Sequence, residues 1–347
     1  MNNSIKPGKI WLDTEGKRIQ AHGGSILTVD GKFYWYGENK EHTKPGTKIW
    51  HWGIRCYSSE DLYNWKDEGI ICPPDPENPD SPMNPEHSVD RPHILYNEDN
   101  KQYVMWMKEM ESGGRQCMNI AVSDKITGPY KVVKAGIHPL SMNSGDFDLV
   151  KAEDGKAYIY FERVHSELIC ADLTPDYMDV TGYYSTHFPA SHPPFVREAP
   201  AVFRKKDKLY MFTSGTTGYF PNPSEVAGAD TYHGTWQVLG DPHIDGRHND
   251  SYCSQISSVF KHPYKKDLYI ALADRWLVDL PKDMPDIIAA FDSHFDKDKT
   301  PTMSWNEILS LSKNDTSIAD YVWLPVYFKD GMPVIKWHDE WKIEDFD

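Results

Sequence analysis

The sequence predicts an all-β fold, a five-bladed β-propeller. One observation behind this prediction is a hairpin pattern that occurs five times: a polar head residue, a short apolar strand, a charged or Asp-Gly turn, and a second strand rich in aromatic residues. Another is the spacing of the heads, which recur at intervals of 68, 56, 52 and 57 residues. Helical periodicity is also scarce, which argues against alternating strands and helices. Repeats of this length that each form one small sheet are typical of propeller blades.

The head residues define the repeat. In each unit, the first aligned Tyr of the second strand follows the head by 12 to 14 residues. Further strand-like segments, such as residues 53–65 and 116–124, predict about four strands in each unit. The five heads are His22, Asp90, Asp146, Glu198 and Gln255.

Two segments lie outside the repeat. Residues 72–88 are rich in Pro, account for the long first interval, and are predicted to form an ordered loop at the rim. Residues 9–13 are a candidate for a strand that closes the ring. Because no linker divides the chain, we expect residues 1–347 to form a single propeller domain.

Composition limits the function classes. Twelve Trp and twenty Tyr among 347 residues suit strands, sugar-stacking surfaces, or both. The formal net charge of −15 argues against nucleic acid and anionic membranes as partners. We therefore expect no nucleic acid and no membrane partner.

The five cysteines are scattered and form no C-x-x-C pair, so the sequence suggests neither a zinc site nor a disulfide framework. Reduced thiols in the cytoplasm are the simplest explanation. The N-terminal segment has no apolar core of signal-peptide length, and no apolar run is long enough for a membrane helix. The sequence therefore predicts a cytoplasmic protein.

The heads also predict a site. The innermost strand of every propeller blade runs along the central axis, so equivalent residues of the five units should meet at one mouth of the channel. Three of them are carboxyl groups, and their mutual repulsion and burial should raise at least one pKa, as general acids require. Alternatively, the heads are strand-start residues that bind neighbouring loops. Two carboxyl groups beside aromatic surfaces fit glycosidic bond hydrolysis.

Several motifs then give a resemblance to a known family. The segments "AHGG", "YWYGENK", "CYSSEDLYNW", "TSGTTGYFPN" and "ADRW" resemble glycoside hydrolase family 43, and within it the exo-β-1,3-galactanase branch. The resemblance extends over nearly the whole chain. It implies a five-bladed propeller, an inverting mechanism and an oligosaccharide substrate.

The resemblance also implies roles for individual residues. Glu198 in "REAPAVF" matches the general acid, and Asp146 in "SGDFDLV" matches the aspartate that adjusts the pKa of the acid and orients it. Gly23 stands where most of the family has a general-base aspartate. Gln255 matches a glutamine that holds the attacking water in the galactanase branch. Asp90, where that branch has Glu, is the nearest alternative proton acceptor.

Other residues are predicted to contact substrate, or else to have structural roles. Trp50 and Trp52 could form the wall of a sugar subsite or pack between blades. Residues 243–250 mimic a metal-ligand cluster but are interpreted as a rim loop, and we predict no metal site and no required cofactor, although a structural calcium would be compatible with the channel. The predicted substrate-binding residues are His22, Glu38, Asp90, Thr216, Tyr219 and Arg275.

These observations predict an inverting, exo-acting glycoside hydrolase that releases a terminal sugar, galactose above all, from β-1,3-linked oligosaccharides. An α-L-arabinofuranosidase or β-xylosidase on the same fold is one alternative. A carbohydrate-binding propeller without catalysis is another, since Gly23 replaces the usual base. A phosphorolytic enzyme is less favoured, because the sequence shows no basic cluster near the heads.

Overall fold

The computed structural model describes residues 1–111, 113–245 and 250–347. Its strands form five four-stranded antiparallel sheets, and in every sheet the four strands follow one another in the chain. This arrangement confirms the predicted five-bladed β-propeller. Each blade therefore uses one continuous stretch of chain, and the polar heads lie in its first strand.

The strands of the first three blades have the following bounds. Blade one contains β1 (His22–Val29), β2 (Lys32–Glu38), β3 (Ile54–Ser59) and β4 (Lys66–Cys72). Blade two contains β5 (Ser88–Asn97), β6 (Gln102–Met110), β7 (Gln116–Ser123) and β8 (Lys131–Ile137). Blade three contains β9 (Ser144–Lys151), β10 (Ala157–Arg163), β11 (Glu167–Leu173) and β12 (Val180–His187).

Blades four and five complete the ring. Blade four contains β13 (Arg197–Lys205), β14 (Lys208–Gly215), β15 (Glu225–Ala229) and β16 (Gln237–Gly240). Blade five contains β17 (Gln255–Lys261), β18 (Tyr269–Arg275), β19 (Asp320–Lys329) and β20 (Met332–Ile335). Short 3-10 turns occur at Pro139–Ser141, Ser251–Cys253, Thr316–Ile318 and Ile343–Asp345.

Within the described residues, both α-helices lie in the connection between β18 and β19. Helix α1 (Ile287–Phe295) begins where the Asp286 side chain accepts a hydrogen bond from the backbone of Ala289. Helix α2 (Trp305–Ser310) begins with a capping box. Neither is long and apolar enough to cross a membrane.

The blades are held together by apolar packing between neighbouring sheets. Between blades one and five, Trp35 and Trp323 meet edge to face with ring centroids 4.5 Å apart. The terminal segments add a small antiparallel bridge, in which the backbones of Ile5 and Trp341 exchange hydrogen bonds of 2.9 and 3.0 Å. Residues 9–13 add no strand to a blade, so the predicted closing strand was wrong.

The Pro-rich loop lies beside the predicted site. It connects β4 to β5, and the carbonyl of Pro85 accepts a hydrogen bond of 2.7 Å from the backbone of Trp50. The loop thereby positions the segment that carries Trp50 near the start of β5.

Candidate active site

All five head residues lie near the start of the first strand of their blades, as predicted. In every blade this strand departs from regular pairing close to the head. Such bulges place an extra residue in one strand and re-aim side chains. Opposite the heads, the second strands contribute a polar residue each. These five residues are Glu38, Lys108, Glu162, Ser214 and Asp274.

Asp146 lies between two cations. Nε of Arg91 lies 2.7 Å from its Oδ2, and Nζ of Lys108 lies 2.8 Å from its Oδ1. Burial raises the pKa of the Asp146 carboxyl, but the charges of Arg91 and Lys108 outweigh burial and hold the pKa below its usual range. Asp146 therefore carries a negative charge at neutral pH.

Glu198 has the opposite titration behaviour. Burial raises its pKa well above the usual value for glutamate, and repulsion from Asp146 and Glu162 raises it further, while Arg91 acts in the other direction. A carboxyl group that stays protonated near neutral pH can donate a proton, as a general acid must. Its electrostatic surroundings suit it to that role.

Gln255 has a fixed amide orientation. Its Oε1 accepts hydrogen bonds from Nη2 of Arg91 at 2.5 Å and from the indole of Trp276 at 3.3 Å. Its Nε2 donates to Oε1 of Glu198 at 3.2 Å and to the hydroxyl of Ser214 at 2.9 Å. Through Arg91, the structure thus brings Asp146, Glu198 and Gln255 into one network.

Sequence reasoning missed Arg91, Lys108 and Glu162. Glu162 is 3% exposed, and burial raises its pKa to about 7. Lys108 and Glu162 each follow an aromatic second strand, in "YVMWMK" and "YIYFE". Lys108 and Glu162 could have been found, because a polar residue recurs near the end of the second strand in every unit. No sequence pattern distinguished Arg91.

The cations also correct the expectation of no basic cluster near the heads, although Arg91 and Lys108 are paired with carboxylates.

Asp90 joins a second group of charges beside the first. Its Oδ2 lies 3.0 Å from Nζ of Lys108, and its Oδ1 accepts a hydrogen bond of 2.6 Å from the indole of Trp50. Burial raises the pKa of Asp90, but Lys108 and Lys40 lower it more, so the net shift is downward. The Asp90 carboxylate is ionised and a weak proton acceptor.

Comparison with known proteins identifies the family. The model of the glycosyl hydrolases family 43 matches residues 18–276. The chain belongs to glycosyl hydrolase family 43. The family and the enzyme class predicted from the sequence, a glycoside hydrolase, are confirmed.

Solved structures that are similar to this chain also include members of family 43. A β-1,3-galactosidase with galactodeoxynojirimycin is 30% identical, with a TM-score of 0.77, and the alignment covers 98% of this chain and 100% of that chain. A second β-1,3-galactosidase is 29% identical, with a TM-score of 0.81; it aligns with 100% of this chain, which spans 65% of that protein.

A third similar structure is a Glu→Ala variant of an exo-β-1,3-galactanase from Phanerochaete chrysosporium with β-1,3-galactotriose. It is 25% identical, has a TM-score of 0.76, and aligns over 98% of this chain and 68% of its own. No curated protein sequence matched this chain.

Gly23 is the position that the sequence resemblance aligns with the general base of the family, and the structure shows what surrounds it. Gly23 has a φ of +65°, and a Cβ there would lie 2.6 Å from Oε1 of Glu38. Glu38 is 1% exposed; Nζ of Lys40 lies 2.8 Å from its Oε2, and its Oε1 accepts the backbone N–H of Arg91 at 2.9 Å. Burial raises the pKa of Glu38 to about 7. Glu38 therefore fills the space in which a side chain at position 23 would begin.

His22 supports the wall of the site. The ring is fully buried, and Nδ1 lies 2.9 Å from Oδ1 of Asp274 while Nε2 lies 3.2 Å from the hydroxyl of Tyr321. Both ring nitrogens are thus used within the protein. The structure therefore gives His22 the structural one of its two predicted roles, in a hydrogen-bonded cluster with Asp274 and Tyr321.

Aromatic residues form the mouth of the site. Tyr219 stacks near Trp50, with centroids 6.1 Å apart, and lies 5.0 Å from Trp276. Burial raises the pKa of Tyr219, and the nearby carboxylates of Asp90 and Glu38 add to the effect. Trp50 therefore lines the site, as one of its two interpretations proposed.

Three other predicted contacts lie elsewhere. The hydroxyl of Thr216 donates to the carbonyl of Val196 at 2.9 Å and so anchors its loop. Trp52 packs against His42, with ring centroids 4.8 Å apart. Arg275 follows Asp274, and since successive strand residues face opposite sides, it is directed away from the channel toward a separate cavity.

The segment that mimics a metal-ligand cluster is described only in part. Residues 246–249 of the segment interpreted as a rim loop, 243–250, lie outside the described residues. Among the described residues, one group has metal-ligand spacing: His192, Asp292 and Asp296. Nζ of Lys299 lies 2.7 Å from Asp292 and 3.5 Å from Asp296, which supplies their counter-charge from within the protein.

Proposed function

We propose that this chain is an exo-acting, inverting glycoside hydrolase that releases galactose from the non-reducing end of β-1,3-linked oligosaccharides. The observation that carries the proposal is the pairing of Glu198, whose pKa is raised, with Asp146, whose pKa is lowered, in one network. Two carboxyl groups whose environments separate their pKa values are the arrangement that glycosidases use. The three similar structures are named for β-1,3-galactose linkages, which supports the choice of sugar.

Glu198 would protonate the glycosidic oxygen as the bond to the leaving sugar breaks. Burial and the charges of Asp146 and Glu162 raise the pKa of Glu198 and so favour its protonated form. Asp146 stays ionised, since Arg91 and Lys108 compensate its charge. The negative charge of Asp146 therefore raises the pKa of Glu198 by electrostatic repulsion, and Asp146 does not accept its proton.

Gln255 would hold the water that attacks the anomeric carbon. Inverting enzymes keep the acid and the group that handles water about 6.5–9.5 Å apart. Nε2 of Gln255 lies 3.2 Å from Glu198, and the space lined by Tyr219, Gln255 and Trp276 has a volume of about 10 Å³. A sugar ring must therefore separate Gln255 from Glu198 as it enters. The rings of Trp50, Tyr219 and Trp276 offer flat faces for it.

The test follows the anomer of the first product by NMR while the enzyme digests β-1,3-galactobiose. Release of α-galactose by the wild type, with at least a hundredfold less from Glu198→Gln, is the expected result. Release of β-galactose would contradict inversion. A parallel panel of 4-nitrophenyl β-galactoside, α-L-arabinofuranoside and β-xyloside decides the sugar, and activity on a pentoside alone would overturn the galactosidase proposal.

A further inference from the structure

Gln255 can hold a water but, as an amide, is not placed to remove a proton from it. Its Oε1 already accepts hydrogen bonds from Arg91 and Trp276, and its amide nitrogen carries only donors. When a sugar separates Gln255 from Glu198, the N–H now directed at Glu198 is released and can donate to the oxygen of a water. Attack of that water on the anomeric carbon also requires a group that takes one of its protons. A second side chain near Gln255 must therefore act as the base.

Two carboxylates lie beside Gly23, the position aligned with the usual base of the family. Oε1 of Glu38 lies 2.6 Å from the place where a Cβ of residue 23 would be. Oδ2 of Asp274 accepts a hydrogen bond of 3.0 Å from the backbone N–H of Gly23. Strands β2 and β18 thus each bring a carboxylate next to the position of the missing side chain.

Asp274 is the one of the two that adjoins Gln255. These residues are directly opposite each other in the antiparallel pair of β17 and β18. Opposite residues of such a pair project from the same face of the sheet, with Cβ atoms about 4.5–5.5 Å apart. Blade five therefore supplies both the amide that holds the water and a carboxylate beside it.

The small space in front of Gln255 has the dimensions of a site for one water. Its volume is about 10 Å³, and a space of about 10–15 Å³ holds one water when two to four polar groups surround it. Polar residues in its lining include Asn222, Ser254, Gln255 and Asp274. A water in this space would lie next to both the Gln255 amide and the Asp274 carboxylate.

Asp274 has acceptor capacity left for that water. It is 3% exposed, and besides the contact to Gly23 its Oδ1 lies 2.9 Å from Nδ1 of His22. A carboxylate offers about four lone-pair sites, so these two contacts leave about two of them unused. Among the ion pairs of the described residues, the ring of His22 is the only partner of Asp274. The two contacts fix the carboxylate without placing a lysine or arginine on it.

The other candidate carboxylates fit the role less well. Burial raises the pKa of Glu38 to about 7, which suits a base, but its oxygens are engaged by Nζ of Lys40 and the backbone of Arg91. Glu38 also does not line the small space. Asp90 lies on blade two, 3.0 Å from Nζ of Lys108, and its pKa is lowered. A cation held against a carboxylate reduces its affinity for a proton.

We propose that Asp274 is the general base, which accepts a proton from the water that Gln255 holds. The inference rests on the proposed function, because it assigns a residue to that reaction. The oxygen of the water bonds to the anomeric carbon and one of its protons passes to the Asp274 carboxylate. The bond from the anomeric carbon to the glycosidic oxygen breaks, and that oxygen takes the proton of Glu198. His22 is a positioning residue, since it contacts Asp274 and not the water.

Chemical rescue by azide tests the assignment. Azide is an anion that attacks without losing a proton, so it replaces the water and removes the need for a base. The substrate is a 2,4-dinitrophenyl β-galactoside, whose leaving group needs no proton from Glu198. We expect Asp274→Ala to lose at least about a hundredfold in kcat, and azide to restore at least about tenfold while α-galactosyl azide forms.

Glu38→Ala is the matched control, because it removes the other carboxylate beside Gly23. Neither this variant nor Glu198→Ala should be accelerated by azide. Absence of rescue in a folded Asp274→Ala variant would overturn the assignment, and so would rescue of Glu38→Ala instead. Melting temperatures show whether Asp274→Ala is folded. If it is not, Asp274→Asn, which keeps the size of the side chain, serves for the same comparison.

The outcomes distinguish a failure of this inference from a failure of the proposed function. A wild type that cleaves no glycoside contradicts the proposed function, and the assignment of Asp274 falls with it. If the wild type cleaves only a pentoside, the dinitrophenyl glycoside of that sugar takes the place of the galactoside in the same comparison. An active wild type whose Asp274→Ala variant retains more than about a tenth of kcat would contradict the assignment alone.

Discussion

The amide nitrogen of Gln255 lies 3.2 Å from Oε1 of Glu198 and donates a hydrogen bond to it. The amide oxygen is held at the same time by Arg91 and Trp276. The amide nitrogen also donates to the hydroxyl of Ser214, so Gln255 is fixed with one N–H directed toward the acid. A sugar must enter between these two side chains, so substrate binding breaks this hydrogen bond and must compensate for its loss.

Replacing Gln255 by Ala tests its role in holding water. We expect kcat to fall by about a hundredfold or more with a smaller change in KM, because water is no longer positioned in the transition state. Steady-state kinetics on β-1,3-galactobiose measure both constants. Ser214→Ala is the control, since it removes one hydrogen bond to Gln255 but leaves the amide in place. An equal loss of kcat in both variants would show that Gln255 only supports the local structure.

Asp146 and Arg91 should move the alkaline limb of the pH profile in opposite directions. Activity requires protonated Glu198, so kcat/KM falls as the pH rises through its pKa. The charge of Asp146 raises that pKa and the charge of Arg91 lowers it. In pH profiles of kcat/KM, Asp146→Asn should shift the limb to lower pH and Arg91→Met to higher pH, each by about one unit. Shifts in the same direction would exclude Glu198 as the titrating acid.

Gly23 should resist substitution for two separable reasons. Its φ is +65°, and a Cβ would lie 2.6 Å from Oε1 of Glu38. Gly16 has a φ of +83° with no atom within 4 Å of a Cβ, so Gly16→Ala measures the backbone strain alone. We expect chemical denaturation to show a loss of about 1–2 kcal/mol in Gly16→Ala and a larger loss in Gly23→Ala. Equal losses would mean that Glu38 moves aside without cost.

Asp148 should make stability depend on pH in a defined window. It is 4% exposed, and burial raises its pKa to about 7 although the backbones of Val202 and Leu149 donate to it. A folded-state pKa above the unfolded value of about 3.9 means that the folded protein binds the extra proton, so stability is lost as the pH rises from about 4 to 7. The slope approaches about 1.4 kcal/mol per pH unit.

The check is a comparison of denaturation curves at pH 4.5 and pH 7. Asp148→Asn should reduce the loss of stability between these pH values, because the amide does not titrate. Asp154→Asn, in an exposed turn, is the control and should leave the dependence unchanged. An unaltered pH dependence in Asp148→Asn would show that this carboxyl keeps an ordinary pKa.

The five blades could be predicted because their signals are local. A head, an apolar strand, a turn and an aromatic strand lie within about 20 residues, and the spacing repeats. The positions of Asp146, Glu198 and Gln255 followed from the same repeat, and the structure brings them into one network through Arg91. Arg91 comes directly after the head residue Asp90, and nothing in the repeat distinguished it from a charged residue on the surface.

The positions of the Glu38 and Arg275 side chains could be known only from the tertiary structure. Glu38 fills the space beside Gly23 because the bulge in β1 changes the register between His22 and Ser25. Arg275 lines a cavity separate from the channel because its strand directs it opposite to Asp274, and residues of the connection between β18 and β19 line the same cavity. Neither the register of a bulge nor the path of a long connection is encoded by a local pattern.

The sequence by itself therefore determined the number of blades, the residues that lead each one, and the family. The tertiary structure decided which charges meet: Lys108 and Arg91 at Asp146, and Glu162 near Glu198. The physical reason is range. Strand and turn preferences act between near neighbours in the chain, whereas the pKa values of Asp146 and Glu198 depend on charged groups that lie tens of positions away in the chain, such as Lys108 for Asp146 and Glu162 for Glu198.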